Sequence, residues 1–459
     1  MTTKSKIQKL TRHPEGSIKE MFAISFPLML SVLSGSVMLF LDRLILAKFS
    51  LEAMNAAAAA GMVIFVFHYG AIGISSIAEV FVGQHNGAGE KDKAASPAWQ
   101  MIWFSLFCWP VFFAIAHWGG PLFLADYHYE SHALPYFQWL LYFGPLFPMQ
   151  TAISAFFIGI GSVRIVTKAA IIGNVLNVIL DILLVFGFRE IIPAMGCEGA
   201  AIATVISMFI QVLVLLSSFL NKHYNLQYGT RRYGFKIQVF WNCLKVGVPS
   251  AMGHMIEISA WALITRLLIG VGEDHITVAA MGQCFYALIS YAMEGLQKGI
   301  TTISANFLGA RKPALILKAW KSAVRLLFIY ALLVAPILLL YPDPIISFFL
   351  SDDMNPERLI HLTAMLRITA ACIFFYFVLD GLTWISAGVL TAAGETTYVM
   401  IINTVTTWTF AVLPVYFLVV QGDCPPSYVW VILNGYAAIN ALCFYLRFRK
   451  GSWKTKRLV

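Results

Sequence analysis

The sequence predicts an all-α membrane protein: twelve transmembrane helices in two pseudo-symmetric six-helix lobes. Three observations predict it. The 459 residues are 59% hydrophobic and 12% charged, with a mean hydropathy of +0.75, whereas a soluble domain carries about 25% charged residues. Apolar runs of the ~20 residues needed to cross ~30 Å of hydrocarbon recur along the whole chain. The chain also looks doubled, with short matches in the same order in its two halves.

The apolar runs fall at 18–46, 53–84, 97–119, 133–159, 164–188, 196–221, 238–270, 276–306, 313–341, 357–390, 397–421 and 426–448. Lipid offers no partner to free backbone groups, so runs this long are helices; those beyond the minimum length imply tilt or kinks. Met1 to Glu20 is polar and basic, and no A-x-A-like cleavage site follows a short apolar core, so the first run is read as a retained span. The doubling sets Pro27 in "ISFPLML" beside Pro249 in "VGVPSAM", "NGAGEKDKA" beside "LGARKPALI", and "ISAFFIGIGS" beside "ISAGVLTAAGE". Six spans is an even number, so both halves insert the same way round, as a parallel repeat. The expected organisation is a cytoplasmic segment 1–17, an N-lobe 18–221, a linker 222–237, a C-lobe 238–448 and a basic tail 449–459.

The formal charge of +9 is distributed by side. Lys4, Lys6, Lys9, Arg12 and Lys19 precede the first span. Lys91 and Lys93, Arg164 and Lys168, Lys222, Arg231, Arg232 and Lys236, and Arg311 and Lys312 occupy alternate connections, and Arg447, Arg449, Lys450, Lys454, Lys456 and Arg457 form the tail. The opposite connections carry Asp126, Glu130, Glu273, Asp274, Asp343, Asp352, Asp353 and Asp423. Basic loops stay inside, so both termini are expected in the cytoplasm of a cell (inner) membrane protein, with basic groups facing anionic lipid headgroups. No basic recognition helix or RNA-binding signature appears, which excludes nucleic acid as a partner. Seven cysteines, mostly inside apolar runs, and no C-x-x-C read as small buried hydrophobes. G-x-x-x-x-G-K-[ST], H-E-x-x-H and G-x-S-x-G are absent, so no enzyme, no catalytic residue and no cofactor is expected.

Chemistry then rests on ionisable residues inside spans: Asp42, Glu79, Asp181, Glu257, Arg266, Glu294, Lys298, Arg367 and Asp380. Each costs about 2.5–3.5 kcal/mol at a helix centre, so such residues mark ion paths unless they snorkel or pair. Asn174, Asn177 and Asp181, at i, i+3 and i+7, put three oxygen-bearing side chains on one stripe. With Thr204 on the next span they offer hard ligands for a small cation, or a carboxylate for a proton. The bland alternative for Asn and Thr is helix-to-helix hydrogen bonding. Asp42 lies fifteen residues after Pro27; the alternative places it near the headgroups with Arg43. Glu257 follows Pro249 by eight residues, with His254 one turn earlier on the same face, and Asp380 sits in "FFYFVLDGLTWISAG". Glu294 and Lys298, at i and i+4, can neutralise one another. Glu79, Arg266 and Arg367 lie nearer span ends and are read as snorkelling.

These features resemble the multidrug and toxic compound extrusion (MATE) transporters over essentially the whole chain. The Pro27-to-Asp42 spacing resembles the family's first span, "GNVLNVILD" its fifth and "GAAIATVISM" its sixth. The resemblance implies an N-lobe cation site of Asp42, Asn177, Asp181 and Thr204, where Na+ is a possible metal. "VGVPSAMGHMIE" and "LDGLTWISAG" resemble the seventh and tenth spans of the NorM-type branch, which implies C-lobe coupling or substrate residues at Glu257 and Asp380, with His254 beside them. Asn174, Ser154, Gln283, Glu294 and Lys298 complete the candidates; Ser154 departs from relatives that carry asparagine.

The implied function is antiport by alternating access: Na+ or H+ moves in, and organic, cationic and amphipathic small molecules move out of a monomer set among membrane lipids. The oxygen-rich stripe and the two C-lobe acids favour sodium; His254 pulls towards protons. The rival readings are a lipid-linked saccharide flippase of the same superfamily, which would prefer a basic cavity, and a membrane-embedded enzyme, which would need clustered His, Cys or Asp.

Overall fold

The computed structural model describes residues 9–124, 130–189, 191–350, 356–422 and 424–459. Lys4, Lys6, Asp126, Asp352, Asp353 and Asp423, part of the charge asymmetry above, lie outside the described residues. Eleven described helices are long and apolar enough to span a membrane: α1 (Ile18–Phe49), α2 (Leu51–Gly87), α3 (Lys91–Trp118), α5 (Val163–Val185), α6 (Gly196–Phe219), α7 (Ile237–Ile269), α8 (Glu273–Gly309), α9 (Pro313–Leu340), α10 (Pro356–Ala392), α11 (Thr396–Val420) and α12 (Tyr428–Lys450). The twelfth, α4, is broken: Ala133–Tyr142 and Leu146–Gly159 meet at 43°. The span expected over 133–159 is therefore present but bent. Gly144-Pro145 interrupts it, because proline supplies no N–H to the helical ladder and disfavours helix at the residue before it.

The expected 222–237 connection also holds structure. Asn221 caps a short helix, Lys222–Tyr228, through the backbone N–H of His223, and Gly229 ends it with φ +66°. Trp99 and Trp103 of α3 donate to the carbonyls of Thr230 and Tyr233 at 2.7 and 2.9 Å, which ties the connection to the N-terminal half.

Three apolar clusters describe how the helices pack. One draws on residues of both halves, among them Met21, Phe81, Phe156, Ile300, Leu390 and Trp453. The second belongs to the C-terminal half alone, among Ile264, Phe285, Leu366 and Trp430. The third belongs to the N-terminal half alone, among Leu46, Ala60, Phe137 and Ala201. The two halves thus share a core at one end and have separate cores at the other. Both ends of the described chain lie at the shared end: Lys312 reaches Glu15 at 2.9 Å, and Arg457 reaches Glu90 at 3.5 Å. Large apolar side chains such as Phe22, Leu33, Phe40, Val175, Leu332 and Phe375 are exposed on the spans, the surface a bilayer requires.

The junction between the halves is tight. A Cβ at Gly87 of α2 would meet the carbonyl oxygen of Asn306 at 1.9 Å, and a Cβ at Gly309 of α8 would meet that of Gln84 at 2.0 Å. Only hydrogen fits at either position. Polar bonds cross beside them: Asn86 donates to Asn306 Oδ1 at 2.8 Å, and Thr302 donates to Glu79 Oε1 at 2.6 Å. Glu79 is therefore corrected from a snorkelling residue to a buried one that holds the two halves together.

The tail is corrected too. Its basic composition reads as a solvated, headgroup-facing segment, but Trp453 is fully buried and stacks on Phe448 at 5.5 Å. Lys456 pairs with Glu395 at 3.2 Å. A single aromatic anchor, with acids on both halves, docks the segment while Lys450, Lys454 and Lys456 stay exposed.

Candidate functional site

In the N-terminal half, α1, α5 and α6 pack together and bring the predicted residues into one interior. Thr167 on α5 donates to the Pro27 carbonyl at 2.7 Å, which sets the crossing of α5 on the proline-interrupted turn of α1. Asn174, Asn177 and Asp181 all face inward on α5 and are buried. Asn177 Nδ2 donates to Thr204 Oγ1 on α6 at 3.4 Å. Asp42 on α1 is buried as well, near enough to Asp181 for their charges to interact. Asn174 plays another part: it donates to Ser34 at 2.8 Å and accepts from Gln211 at 3.4 Å, so its amide joins α1, α5 and α6. Ser154 on α4 is buried with its hydroxyl unpartnered, and no hydrogen bond joins it to the aspartates.

The decisive feature is what this interior leaves unmade. Asp42 Oδ1, Asn177 Oδ1 and both carboxylate oxygens of Asp181 are buried with no hydrogen-bond partner. A buried polar atom without a partner costs about 1–3 kcal/mol, more when charged. Arg43 Nη1, from the residue after Asp42, is buried without a partner as well, so four unmatched acceptors lie near one unmatched donor, and a small cation is what would complete the acceptors. Among the described residues no group of three or more His, Cys, Asp or Glu forms a metal site, so a transition metal lacks its ligands here, whereas a hard monovalent ion is served by carboxylate, amide and hydroxyl oxygens.

The C-terminal half holds a separate polar cleft between α7, α8, α10, α11 and α12. Ser250, His254, Glu257, Gln297, Asp380, Thr383, Trp384 and Asn403 line it. Glu257 Oε2 accepts from Asn403 at 2.8 Å, and Asn403 Oδ1 accepts from Asn440 at 3.1 Å. Thr406 donates to Asn440 Oδ1 at 2.9 Å. Tyr286 of α8 donates its hydroxyl to Asp380 Oδ2. His254 is exposed in the cleft, as its spacing from Glu257 implied. Gln283 lies elsewhere, donating to Thr265 at 3.3 Å. Sequence reasoning missed Asn403, Asn440 and Tyr286. They are uncharged, and the only available signal was an amide inside each of two apolar runs.

The remaining intramembrane charges separate by role. Arg367 makes a two-pronged pair with Asp343 at 2.7 Å on both oxygens, in an exposed position, and Arg266 is exposed. Lys298 pairs with Glu294 at 2.7 Å, with the two side chains 40% and 38% exposed.

A family model described as MatE matches residues 27–183 and 249–417, one match in each half. A "Probable multidrug resistance protein NorM" of Thermotoga maritima is 24% identical over 451 residues, covering 96% of this chain and 94% of that protein. One of the same name from Bacillus subtilis is 23% identical over 462 residues, covering 96% and 97%. Among solved structures, an outward-facing conformation of a multidrug resistance MATE family transporter of the MOP superfamily superposes with a TM-score of 0.85 at 19% identity, covering all of both chains.

Proposed function

This chain belongs to the MATE family of multidrug efflux transporters, and from that premise we propose that it is a cation-coupled antiporter exporting organic compounds by alternating access. It is a multi-pass membrane transporter and not an enzyme. The observation that carries the proposal is the set of four unpartnered buried oxygens on Asp42, Asn177 and Asp181. One positive charge, a sodium ion coordinated by these oxygens or a proton taken up by one carboxylate, relieves the repulsion between the two carboxylates. Such a cation stabilises the arrangement of helices in which α1, α5 and α6 converge. Organic substrate held in the crevice between the halves favours the other arrangement, and this difference in affinity between two states is what couples the fluxes.

Sodium is the preferred ion, since Thr204 and the Asn177 amide add neutral oxygen ligands that a proton does not need. The shared core, the two chain ends and the basic loops then face the cytoplasm of the inner membrane, and the end where the cores separate faces out. The N-lobe 18–221 and C-lobe 238–448 are the moving bodies, with 222–237 as their connection.

The test uses purified protein in proteoliposomes with a fluorescent cationic substrate at fixed pH. An imposed sodium gradient drives counter-transport on this reading. Transport driven by a pH gradient alone, indifferent to sodium, replaces the sodium assignment with the proton one. No transport under either gradient removes the antiport reading. Orientation is tested by an impermeant thiol reagent: labelling from outside of a cysteine placed at the exposed position 226 in a Cys-free background overturns it.

A further inference from the structure

Arg43 follows Asp42 on α1, and its guanidinium Nη1 is buried without a hydrogen-bond partner. Consecutive helical residues point about 100° apart, so Arg43 leaves α1 in its own direction and meets α2. A Cβ at Gly61 would lie 2.8 Å from Arg43 Nη2, so the bare backbone there makes the room in which the guanidinium lies. Its charge is near enough to interact with Asp42. Tyr136 of α4 and Cys197 of α6 stand within reach of both charges, and Tyr136 within reach of Asp181 as well. Asp42 Oδ1 and both carboxylate oxygens of Asp181 are nonetheless unpartnered. The arginine stands beside the acids without bonding to those atoms.

Solvation does not explain this placement. The long stem of an arginine lets its head reach water from within a span, and Arg266 and Arg367 are exposed in this way. Arg43 instead keeps one nitrogen buried and unbonded, which is unfavourable for a charged group. A guanidinium cannot shed its proton in a protein, so only the field of nearby acids compensates its charge. Two carboxylates and one guanidinium leave a single negative charge in this interior.

We propose that Arg43 is the resident counter-charge of the N-lobe cation site and sets its valence: the interior accepts one monovalent cation and turns away a divalent one. This rests on the cation-coupled reading above and names the residue that decides which charge the site takes. The oxygens of Asp42, Asn177 and Asp181 are hard ligands that suit calcium as well as sodium. Ligand type therefore does not choose between the two ions. Charge does. One monovalent ion brings the two carboxylates and the guanidinium to neutrality. A divalent ion overshoots by one charge and meets twice the repulsion from Arg43. With a neutral side chain at position 43, both carboxylates are uncompensated, and a divalent ion neutralises them.

The test follows the melting temperature of the purified full-length protein in detergent by intrinsic tryptophan fluorescence. Calcium chloride or sodium chloride is titrated at fixed pH, with choline chloride holding the ionic strength constant. An ion bound to the folded state alone raises the melting temperature with its concentration. The wild-type protein is expected to show no saturable calcium shift. Arg43→Gln should acquire one, with an apparent calcium affinity at least about tenfold above the limit set by the wild type. Arg43→Lys restores the charge and should lose the shift again. Asp181→Asn added to Arg43→Gln should abolish it, which locates the calcium at this site. Arg43→Met keeps an unbranched stem without charge and carries the same expectation, should the glutamine variant fail to fold. Equal calcium responses in the wild type and the neutral variants, none in either, or one that survives Asp181→Asn, overturns the proposal. The sodium titration of the wild type reports on the coupling ion separately. A wild type indifferent to sodium removes the sodium assignment, while calcium binding gained by Arg43→Gln upholds the role of Arg43.

Discussion

The backbone N–H of Leu458 donates to Gln84 Oε1 at 2.8 Å, and the Nε2 of the same glutamine donates to the carbonyl of Ala392 at 2.8 Å. One fully buried side chain thereby joins α2, the end of α10 and the tail. Gln84→Ala leaves an N–H and a C=O without partners, each worth about 1–3 kcal/mol when buried. A lower melting temperature of the purified protein in detergent is expected, read by intrinsic tryptophan fluorescence. An unchanged melting temperature would show that water replaces both bonds.

Glu395, in the connection between α10 and α11, gives a pH dependence. Burial works to raise its pKa, but Arg447 at 2.7 Å, Ser452 at 2.9 Å and Lys456 outweigh it, and the carboxyl stays below its ordinary 4.5. A depressed folded-state pKa contributes stability that is present above the unfolded value and is lost as pH falls through the folded one. Stability of the wild-type protein should therefore decline below pH ~4.5. Glu395→Gln should be less stable at neutral pH and should show a flatter acid limb. Parallel acid limbs in the two proteins would rule the carboxylate out.

The junction makes a steric prediction. At Gly87 and Gly309 an added methyl lands within 2.0 Å of a carbonyl oxygen, where backbone must move. Gly87→Ala and Gly309→Ala should each disfavour the conformation with this end closed, at a cost of about 1–3 kcal/mol. Distances between spin labels on α2 and α8 at this end should lengthen and broaden; wild-type distance distributions in both variants would sink the idea.

Asp42→Asn and Asp181→Asn nearly conserve volume and remove the charge. Membrane insertion and melting temperature should hold, or rise slightly as repulsion is relieved. Gradient-driven export should fall at least tenfold, about 1.4 kcal/mol of coupling or more. Full transport by both variants, measured in the same proteoliposomes, would move the cation site elsewhere.

A fifth expectation concerns the second polar cleft. Asn403→Ala removes the amide that Glu257 accepts from at 2.8 Å and breaks its link to Asn440. Sodium-driven flux should weaken, as it should in Glu257→Gln and Asp380→Asn. Loss in the two acid variants with none in Asn403→Ala would limit the amide to packing.

The spans were legible because apolar run length is a one-dimensional property: α7, expected at 238–270, occupies Ile237–Ile269. The break in α4 was not, since counting apolar residues gives no weight to the missing N–H of Pro145. Gathering Asp42, Asn177 and Thr204 needed the resemblance as well as the stripe, because helix periodicity orders residues on α5 but cannot choose α1 and α6 as its neighbours. The polar cleft of the second half was half-legible: its acids stand out in an apolar run, while Asn403 and Asn440 raise no charge. Glu79 and the tail misled for one reason. Neither position near a span end nor basic composition reveals a distant partner: Thr302 meets Glu79 across a sequence separation of 223, and Arg457 meets Glu90 across 367, while Lys454 and Lys456 stay exposed.

Gly87 abuts the carbonyl of Asn306, and Gly309 abuts that of Gln84. Each glycine follows its partner's counterpart by three residues, in the two segments that the internal repeat aligns. Such reciprocity is the signature of an isologous seam, in which one patch meets its own copy across a two-fold axis. The contact behaves as a homodimer interface enclosed in a single polypeptide. The seam is matched across the repeat, whereas one half carries Asp42 and Asp181 and the other Glu257 and Asp380. Exchange symmetry, which would oblige a true dimer to duplicate every binding site, no longer constrains this molecule.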